Sequence, residues 1–308
     1  MPVETHPDKP VLIVNPTSGG GTASRYDLVG QCHARGIEPV VFEPGDDLPA
    51  LARAAIERGA DVIGMAGGDG SQAAVAAVAA EHDVPYVCVP AGTRNHFAID
   101  IGVDRNDVVG ALDAFIDGAE RRIDLARVNG RFFVNIASMG LYGAIVQSPA
   151  YRDAKLRTVI EMLPDLVGPG SEVFDLRFTL PDGSQWSNAR LLLVSNNRYE
   201  LDPRPMTGAR KGIDRGLLSV VVMGVGQPFP RMREWTTPTF RIDSSAVVDV
   251  ALDGEAAAID PPLLFESVPS ALRIRTPIHR HRGPRAAKST RPTRPAPAPD
   301  QSRRDDDI

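Results

Sequence analysis

The sequence predicts an α/β protein in which an amino-terminal, doubly wound domain precedes a mostly antiparallel β domain. Two patterns carry this prediction. Up to about residue 122, short apolar runs alternate with helical segments, which is typical of a parallel sheet covered by helices. Beyond that point, apolar runs follow one another with turn signals between them, as in antiparallel sheets. We therefore predict domains at 10–122 and 123–278.

In the first domain, each predicted strand is a short β-branched or apolar run, as expected for strands that are buried on both faces. The predicted strands are 11–14, 40–42, 62–66 and 86–89. The predicted helices are 26–35, 48–58, the Ala-rich segment up to about 81, and 107–118. Gly36 and Gly59 follow two of these helices, where glycine is a common helix terminator.

The second domain contains strands separated by turn signals such as Asn129-Gly130. The predicted strands are 123–128, 131–137, 173–180, 189–195, 217–223, 246–252 and 271–275. One amphipathic helix is predicted at 155–166. We interpret it as a helix that packs on the core, with an apolar lid over a substrate as the alternative. The tail, 279–308, is rich in Pro and Arg and should be disordered.

The composition describes a globular chain and disfavours several classes of protein. The 308 residues are 43% hydrophobic and 24% charged, and the net charge of −5 gives no reason to expect a nucleic acid partner. Cys32 and Cys88 do not have the spacing of metal ligands, which favours reduced thiols in a cytoplasmic protein. The sequence has no apolar run of the roughly 18 residues that a transmembrane helix needs, and its first residues lack a signal core. Any membrane contact is therefore expected to be peripheral, at the inner face. The oligomeric state stays open, a homodimer included.

The stretch 61–77, DVIGMAGGDGSQAAVAA, carries the strongest local signal. An apolar run ends in the turn 67–71, and an Ala-rich helix follows at once. Such a junction directs backbone N–H groups and the positive end of a helix dipole at one point, which suits a phosphate. Asp69 would repel a phosphate unless a cation lay between them. The stretch therefore predicts a nucleotide phosphate bound together with Mg²⁺.

Three polar or glycine-rich loops, 15–21, 67–71 and 90–95, follow strands of the predicted parallel sheet. They should therefore lie at its carboxyl edge, where such folds bind ligands. The segment from Gly68 to Ala73 also matches G-x-G-x-x-A, but no acidic residue ends the next strand to hold a ribose, which disfavours a hydride-transfer enzyme. The sequence contains no G-x-x-x-x-G-K-[ST] loop.

Five spaced motifs resemble those of the diacylglycerol kinase catalytic-domain family, which includes bacterial lipid kinases and sphingosine kinases and is related to NAD kinases. The motifs are Asn15-Pro16 with Ser18-Gly19, the turn 67–71, Pro90 with Gly92-Thr93 and Asn95, the segment 133–140, and Asp253-Gly254-Glu255. The resemblance spans about 11–277. It implies an α/β nucleotide-binding domain, a β-sandwich lipid-binding domain, and ATP with Mg²⁺ in a cleft between them. The implied acceptor is the hydroxyl group of a lipid such as diacylglycerol.

The resemblance also implies roles for individual residues. Those expected to bind the nucleotide are Asn15, Pro16, Thr17, Ser18, Gly19, Gly67, Gly68, Asp69, Gly70, Ser71, Thr93 and Asn95. Asp69 would also hold Mg²⁺ through water. The catalytic candidates are Asp253 and Glu255, which would approach the acceptor hydroxyl, together with Asp69. Which of these carboxylates is the general base stays open, although phosphoryl transfer needs one to orient the hydroxyl.

The sequence departs from the family pattern in four places. Ser71 replaces a Thr, which is a mild change, and the tripeptide 72–74 (Gln-Ala-Ala) replaces Leu-Asn-Glu, so a polar contact on that helix is expected to be missing. His96 replaces an Asp and removes a carboxylate from the cleft. Arg215 replaces an Asp that helps to hold a structural Mg²⁺ in bacterial members, so this second metal is not expected unless Asp214 substitutes.

Two alternatives to a lipid kinase stay open. The lost acidic residues motivate a nucleotide-binding regulator without catalytic activity. The Gly-Gly-Asp-Gly turn is also compatible with an enzyme similar to NAD kinases, although 95–97 and 253–255 fit the lipid kinases better.

Overall fold

The structure is a computed structural model that describes residues 7–140, 174–187, 189–198, 212–224 and 231–278. The described residues belong to one compact unit built around two β-sheets. The predicted helix 155–166 and the predicted disordered tail 279–308 lie outside them.

The first sheet confirms the predicted parallel α/β arrangement. Its parallel strands, in the spatial order β2-β1-β3-β4, are β1 (Pro10–Val14), β2 (Glu38–Val41), β3 (Val62–Gly67) and β4 (Tyr86–Pro90). Strands β1, β3 and β4 are buried along their whole length. Burial on both faces explains why these strands appear in the sequence as uninterrupted apolar runs.

Helices follow these strands along the chain. They are α1 (Ser18–Arg25), α2 (Leu28–His33), α3 (Leu48–Glu57), α4 (Asp69–Glu81) and α5 (His96–Asp100). Helix α3 begins after Asp47, whose carboxylate accepts a hydrogen bond from the N–H of Ala50 (3.2 Å). Helix α2 is shorter than the predicted 26–35, because Asp27 adopts a left-handed conformation and caps it.

The predicted helix 107–118 is wrong in length and type. A 3₁₀ helix spans Gly110–Phe115, and β5 (Gly118–Val128) begins where the longer helix was expected to end. The sequence placed the start of β5 at residue 123 because the first half of this strand is exposed and charged, with Glu120, Arg121 and Arg122 in succession. A strand of this composition has no apolar run to mark it.

The last strand of the chain completes the first sheet. Strand β16 (Leu263–Pro277) pairs in parallel with β4 and antiparallel with β5, and the sheet ends with β6 (Arg131–Phe133). A further strand, β13 (Thr239–Ile242), pairs with the beginning of β16. The predicted boundary between 122 and 123 therefore falls inside β5, and the first sheet draws strands from both predicted domains. The division of the chain at that position stays a prediction.

The second sheet is antiparallel, as predicted for the carboxyl-terminal half. In the order β12-β11-β10-β7-β14-β15, its strands are β12 (Arg231–Thr237), β11 (Leu218–Gly224), β10 (Ala189–Asn196), β7 (Ile136–Gly140), β14 (Val248–Leu252) and β15 (Glu255–Ile259). A separate hairpin of β8 (Phe178–Thr179) and β9 (Gln185–Trp186) packs its Phe178 ring against Trp235 and Phe240.

Two properties bear on the predicted environment of the protein. Cys32 and Cys88 are buried free thiols, and burial raises the pKa of both, that of Cys32 to about 11. Both thiols are therefore protonated at neutral pH and poor nucleophiles. Among the described helices, none has the length and apolar character needed to cross a bilayer.

A buried carboxylate on β5 ties the two sheets together. Asp124 is 2% exposed, and its carboxylate accepts hydrogen bonds from the N–H groups of Gly216 (2.6 Å) and Ser270 (2.9 Å). Its backbone N–H donates to the carbonyl of Ile213 (2.8 Å), and its carbonyl accepts from Nδ2 of Asn196 at the end of β10 (2.9 Å). One residue thus joins β5, β10, β16 and the loop before β11.

The loop that carries Arg215 does not fit the structural Mg²⁺ site implied for bacterial family members. Nε of Arg215 lies 2.8 Å from the position of a Cβ atom on Gly212, so the side chain folds over that glycine. Asp214 is exposed. Within the described ranges, no three His, Cys, Asp or Glu side chains lie close enough together to hold a metal ion. The Asp124 carboxylate holds this loop instead.

We expect Asp124→Ala to lower the free energy of unfolding by about 3 kcal/mol, because it leaves two buried N–H donors without their acceptor. Urea denaturation measures the change. The matched control is Asp249→Ala, an exposed position on β14, where we expect a change within about 0.5 kcal/mol. Equal effects of the two substitutions would show that the Asp124 hydrogen bonds do not hold the sheets together.

Candidate functional site

Three loops meet at the carboxyl edge of β1, β3 and β4, and they touch through their backbones. A Cβ atom placed on Gly92 would lie 2.4 Å from Cα of Gly68, and one placed on Gly19 would lie 2.4 Å from the carbonyl oxygen of Ala91. The Ser18 hydroxyl is 3.6 Å from the position of a Cβ atom on Gly68. Any side chain at Gly19 or Gly92 would push the loops apart. The structure thus brings residues of all three predicted nucleotide motifs together.

Asn15 shapes the first loop with its side chain. Its Oδ1 accepts hydrogen bonds from the backbone N–H (3.1 Å) and the hydroxyl group (2.9 Å) of Thr17, across Pro16. Its backbone N–H donates to the carbonyl of Ala66 on β3 (2.9 Å). These bonds fix the turn between β1 and α1, so Asn15 supports the loop as well as lying within it.

Left-handed glycines and an arginine follow this turn. Gly19, Gly20 and Gly21 have φ angles of 59°, 68° and 84°, which glycine adopts without steric strain. Nη2 of Arg25 donates to the carbonyl of Gly19 (3.2 Å) and to the hydroxyl of Thr22 (2.9 Å). Arg25 is a candidate that the sequence interpretation missed. The sequence signal for it is a basic residue shortly after the glycines. In the structure, the Arg25 guanidinium places positive charge beside the loop.

The second loop is the turn between β3 and α4. Gly68 is the N-cap of α4, and Asp69, Gly70 and Ser71 form its first turn. The first N–H groups of a helix have no carbonyl partner within it, and the helix dipole adds positive potential at the same end. This geometry can bind an anionic group such as a phosphate.

Asp69 is half-buried at the start of α4. Its Oδ1 accepts a hydrogen bond from the N–H of Phe97 on α5 (3.0 Å), and its charge adds to the effect of burial in raising the pKa of Cys88. Mg²⁺ commonly binds one or two carboxylates together with substrate phosphates and several waters. A carboxylate beside a phosphate-binding turn fits that mode of binding.

Gln72 supplies a polar contact that the sequence does not indicate, although Ala73 and Ala74 carry no polar side chain. Its side chain is 2% exposed and points into the sheet, where Nε2 donates to the carbonyls of Met65 (2.9 Å), Gly67 (3.3 Å) and Val89 (2.9 Å). The sequence interpretation missed this contact because a glutamine near the start of an Ala-rich helix does not indicate burial.

Asn95 shapes the third loop with its whole amide group. Oδ1 accepts from the N–H of Gly92 (2.9 Å), and Nδ2 donates to the carbonyls of Pro90 (3.0 Å) and Gly92 (3.1 Å). The residue is 7% exposed and left-handed, with φ of 53°. Asn95 therefore holds the loop in shape, whereas Thr93 in the same loop is exposed.

Asp253 lies in the turn between β14 and β15, beside the glycine turn. Its carbonyl oxygen is 3.9 Å from the position of a Cβ atom on Gly70. Its Oδ2 accepts from the N–H of Val134 (2.7 Å), and its Oδ1 accepts from those of Asn135 (2.7 Å) and Ile136 (3.0 Å). Hydrogen bonds of this kind stabilise the charged form of a carboxylate. Asp253 therefore anchors the hairpin to the backbone that follows β6.

Glu255 begins β15 and is exposed. Its pKa is raised, first because the protein removes part of the water around the carboxyl group, and then because the charges of Asp253 and Asp47 repel its own. Asp47 caps α3, so the amino-terminal end of that helix lies near the site. A raised pKa makes a carboxylate a better proton acceptor. Of the two carboxylates in this hairpin, Glu255 has the environment of a general base.

A cavity of about 330 Å³ lies elsewhere, between the β8–β9 hairpin and strands β12 and β13. Phe178, Trp235 and Phe240 contribute aromatic surface to it, and Arg177 and Arg241 contribute charge. It contains none of the predicted site residues. The cavity is therefore separate from the glycine loops.

Comparisons with known proteins agree with this arrangement. Residues 9–128 match the family model described as "Diacylglycerol kinase catalytic domain". A diacylglycerol kinase of Mycobacterium tuberculosis is 27% identical over 300 residues, which cover 88% of this chain and 96% of that protein. A diacylglycerol kinase of Bacillus subtilis is 33% identical over 172 residues, or 50% of this chain and 55% of that protein.

A solved structure has the same fold. The crystal structure of a diacylglycerol kinase from Bacillus anthracis matches with a TM-score of 0.64 at 21% identity, over 88% of this chain and 97% of that chain. At this identity the likeness concerns the fold alone, whereas the sequence match over 9–128 concerns the family. Residues 9–128 therefore match the diacylglycerol kinase catalytic domain, and the comparisons support a kinase-like enzyme.

Proposed function

We propose that the protein transfers the γ-phosphate of ATP to a hydroxyl group of a lipid similar to diacylglycerol, with Mg²⁺ as cofactor. The observation that carries this proposal is the proximity of Gly70 and Asp253: a Cβ atom placed on Gly70 would lie 3.9 Å from the carbonyl oxygen of Asp253. It sets the hairpin that contains Glu255 against the turn that would bind phosphate. The match of residues 9–128 to the family model and the names of the relatives support a lipid acceptor.

In this proposal the loops bind the triphosphate mainly through backbone N–H groups. The first turn of α4, Gly68 to Ser71, would cradle phosphate oxygens, and Ser18 and Gly19 would approach from the first loop. Asn15 and Asn95 would hold their loops in place, because their side-chain amides already bond to loop backbone. Arg25 would add positive charge beside Gly19.

Asp69 would hold Mg²⁺ through water beside the phosphates. A bound Mg²⁺ would neutralise negative charge on the transferred group, which is the main requirement of phosphoryl transfer. The half-buried position of Asp69 and its hydrogen bond from Phe97 fix one carboxylate oxygen and thereby orient the other.

Glu255 would act as the general base. The acceptor hydroxyl would give its proton to the Glu255 carboxylate while its oxygen forms a bond to the γ-phosphorus. The bond between that phosphorus and the bridging oxygen would break, and ADP would leave with the electron pair. Asp253 would hold the hairpin in place through its three backbone hydrogen bonds. A cytoplasmic protein that contacts the inner membrane face peripherally would meet such an acceptor.

The decisive experiment is transfer from labelled ATP to a panel of acceptors in mixed micelles: diacylglycerol, ceramide, sphingosine and, in solution, NAD⁺. We expect labelled phosphatidic acid from diacylglycerol. Labelling of NAD⁺ alone would instead support the NAD kinase-like alternative. No labelled product under conditions in which a control kinase is active would support the non-catalytic regulator. That regulator would also be supported if Asp69→Asn and Glu255→Gln both preserved cellular function.

We expect Glu255→Gln to lower kcat by about 10²–10⁴-fold, because the amide cannot accept the hydroxyl proton. ATP affinity, measured by calorimetry, should stay within about twofold of the wild-type value. A twofold difference is well below the roughly 1.4 kcal/mol that corresponds to a tenfold difference in affinity. Glu266→Gln, which loses only a partly exposed pair with Arg127, is the matched control. A full rate in Glu255→Gln would exclude Glu255 as the base.

The pH dependence of kcat provides a separate check on Glu255. The base acts only when deprotonated, so kcat should rise with pH through an apparent pKa above the ordinary range of a glutamate, in the direction of the raised pKa. This limb should vanish in Glu255→Gln. A limb that persists unchanged in the variant would assign the titration to another group.

We expect Gly92→Ala to weaken ATP binding by about 10-fold or more, because overpacking by a methyl group typically costs 1–3 kcal/mol and here falls on Gly68. Gly130→Ala is the control: its φ of 84° also disfavours alanine, but open space surrounds its Cβ position. That variant should lose some stability and keep its ATP affinity. Unchanged ATP affinity in a folded Gly92→Ala protein would contradict the close backbone contact.

A further inference from the structure

We infer that Gln72 and Tyr86 form a buried support that positions both the phosphate-binding turn and Asp69. This inference deepens the proposed function and rests on it. Neither residue faces the cleft: Gln72 is 2% exposed and Tyr86 is fully buried. They are therefore positioning residues, and their effect would reach the nucleotide through Gly67 and Asp69.

Gln72 replaces a backbone donor at the point where β4 leaves the sheet. With the observed parallel register, the next N–H of β4, that of Ala91, would donate to the carbonyl of Gly67. Ala91 instead donates to the carbonyl of Val89 (2.9 Å). Nε2 of Gln72 lies 3.3 Å from the Gly67 carbonyl and 2.9 Å from that of Val89. The amide thus joins the last residues of β3 and β4, immediately before their loops.

Tyr86 holds the other end of the same amide. Its hydroxyl donates to Oε1 of Gln72, and it lies 3.2 Å from the backbone carbonyl of Gln72. With the carbonyl contacts of Nε2, both atoms of the amide are engaged. The Gln72 side chain therefore has a single orientation that satisfies all of its partners.

The support closes into a ring that includes Asp69. The Tyr86 ring packs against that of Phe97, with 6.3 Å between their centroids. The N–H of Phe97 donates to Oδ1 of Asp69 (3.0 Å), and Asp69 lies three residues before Gln72 on α4. A shift of Gln72 would therefore move Asp69 by two routes, through α4 and through Tyr86 and Phe97.

A glutamine with a purely structural role could lie anywhere in the core. The hydrogen bonds of Gln72 instead converge on the carboxyl edge of the sheet, where the ligand would bind. The partners of Nε2 lie near the carboxyl ends of β3 and β4, and Gly67 directly precedes the N-cap of α4. Ala73 and Ala74 bring no polar side-chain group to this part of the helix. The amide of Gln72 therefore supplies polar support from beneath the turn.

The test compares three folded variants by calorimetric titration with Mg-ATP in the absence of lipid. We expect Gln72→Leu to raise the Kd by about 10-fold, the lower end of the effect typical for residues that orient a ligand-binding group. Tyr86→Phe, which removes one hydroxyl group, should raise it by a smaller factor. Val75→Ala, at a fully buried position on α4, is the control for lost stability and should bind as the wild type does.

A second readout separates positioning from general weakening of the fold. Because Asp69 would meet Mg²⁺, Gln72→Leu should also raise the Mg²⁺ concentration needed for half of the thermal stabilisation by ATP, and Val75→Ala should not. Wild-type affinity in both Gln72→Leu and Tyr86→Phe would overturn the inference, as would an equal loss in Val75→Ala. If the wild-type protein does not bind Mg-ATP, the proposed function fails, and this inference fails with it. Should Gln72→Leu not fold, Tyr86→Phe alone decides.

Discussion

The direct contact between glycine backbones is the constraint on which the rest of the site depends. Gly19 meets Ala91, and Gly92 meets Gly68, with no room for a Cβ atom. Such contacts require strands that end at one edge of a parallel sheet. They also bring together backbone N–H and C=O groups, which need hydrogen-bond partners when they are buried. Three side chains bond to backbone groups here: Asn15 in the first loop, Asn95 in the third loop, and Gln72 between the ends of β3 and β4. Much of the polar chemistry at this edge therefore serves the backbone, and the backbone in turn forms the surface for a ligand.

The three predicted catalytic carboxylates are chemically alike and have different surroundings. Asp253 accepts three backbone N–H groups, which hold its charge in place. Asp69 accepts one from Phe97 and lies at a helix amino terminus. Glu255 loses part of its hydration and faces two negative neighbours, which raises its pKa. In the proposed function, these surroundings suit Asp253 to an anchor, Asp69 to a cation-binding group and Glu255 to a base.

The sequence predicted what depends on local pattern. Buried strands produced apolar runs, and glycine turns after strands marked the carboxyl edge, so the α/β arrangement and the three loops followed. Strand β5 was placed too late because its exposed first half is charged, and the pairing of β16 with β4 depends on contacts far apart in the chain. The hydrogen bonds of buried Gln72 could not be predicted, because one of them replaces a bond between β3 and β4 that the N–H of Ala91 does not make. The distinction between Asp253 and Glu255 likewise depends on N–H groups that lie more than a hundred residues away from them.

The positions of the lost acidic residues bear on the choice between an enzyme and a regulator. Ala74, His96 and Arg215 stand where the family pattern that the motifs resemble has a carboxylate. None of them belongs to the hydrogen-bonded path that sets Glu255 against the glycine turn. That path runs from β4 through β16 to β5, and the backbone after β6 then holds Asp253. The proposed base is consequently positioned by paired strands, which hold a group more accurately than loops do. Because this frame does not depend on the lost acidic residues, the geometry is compatible with the kinase-like enzyme that the comparisons support.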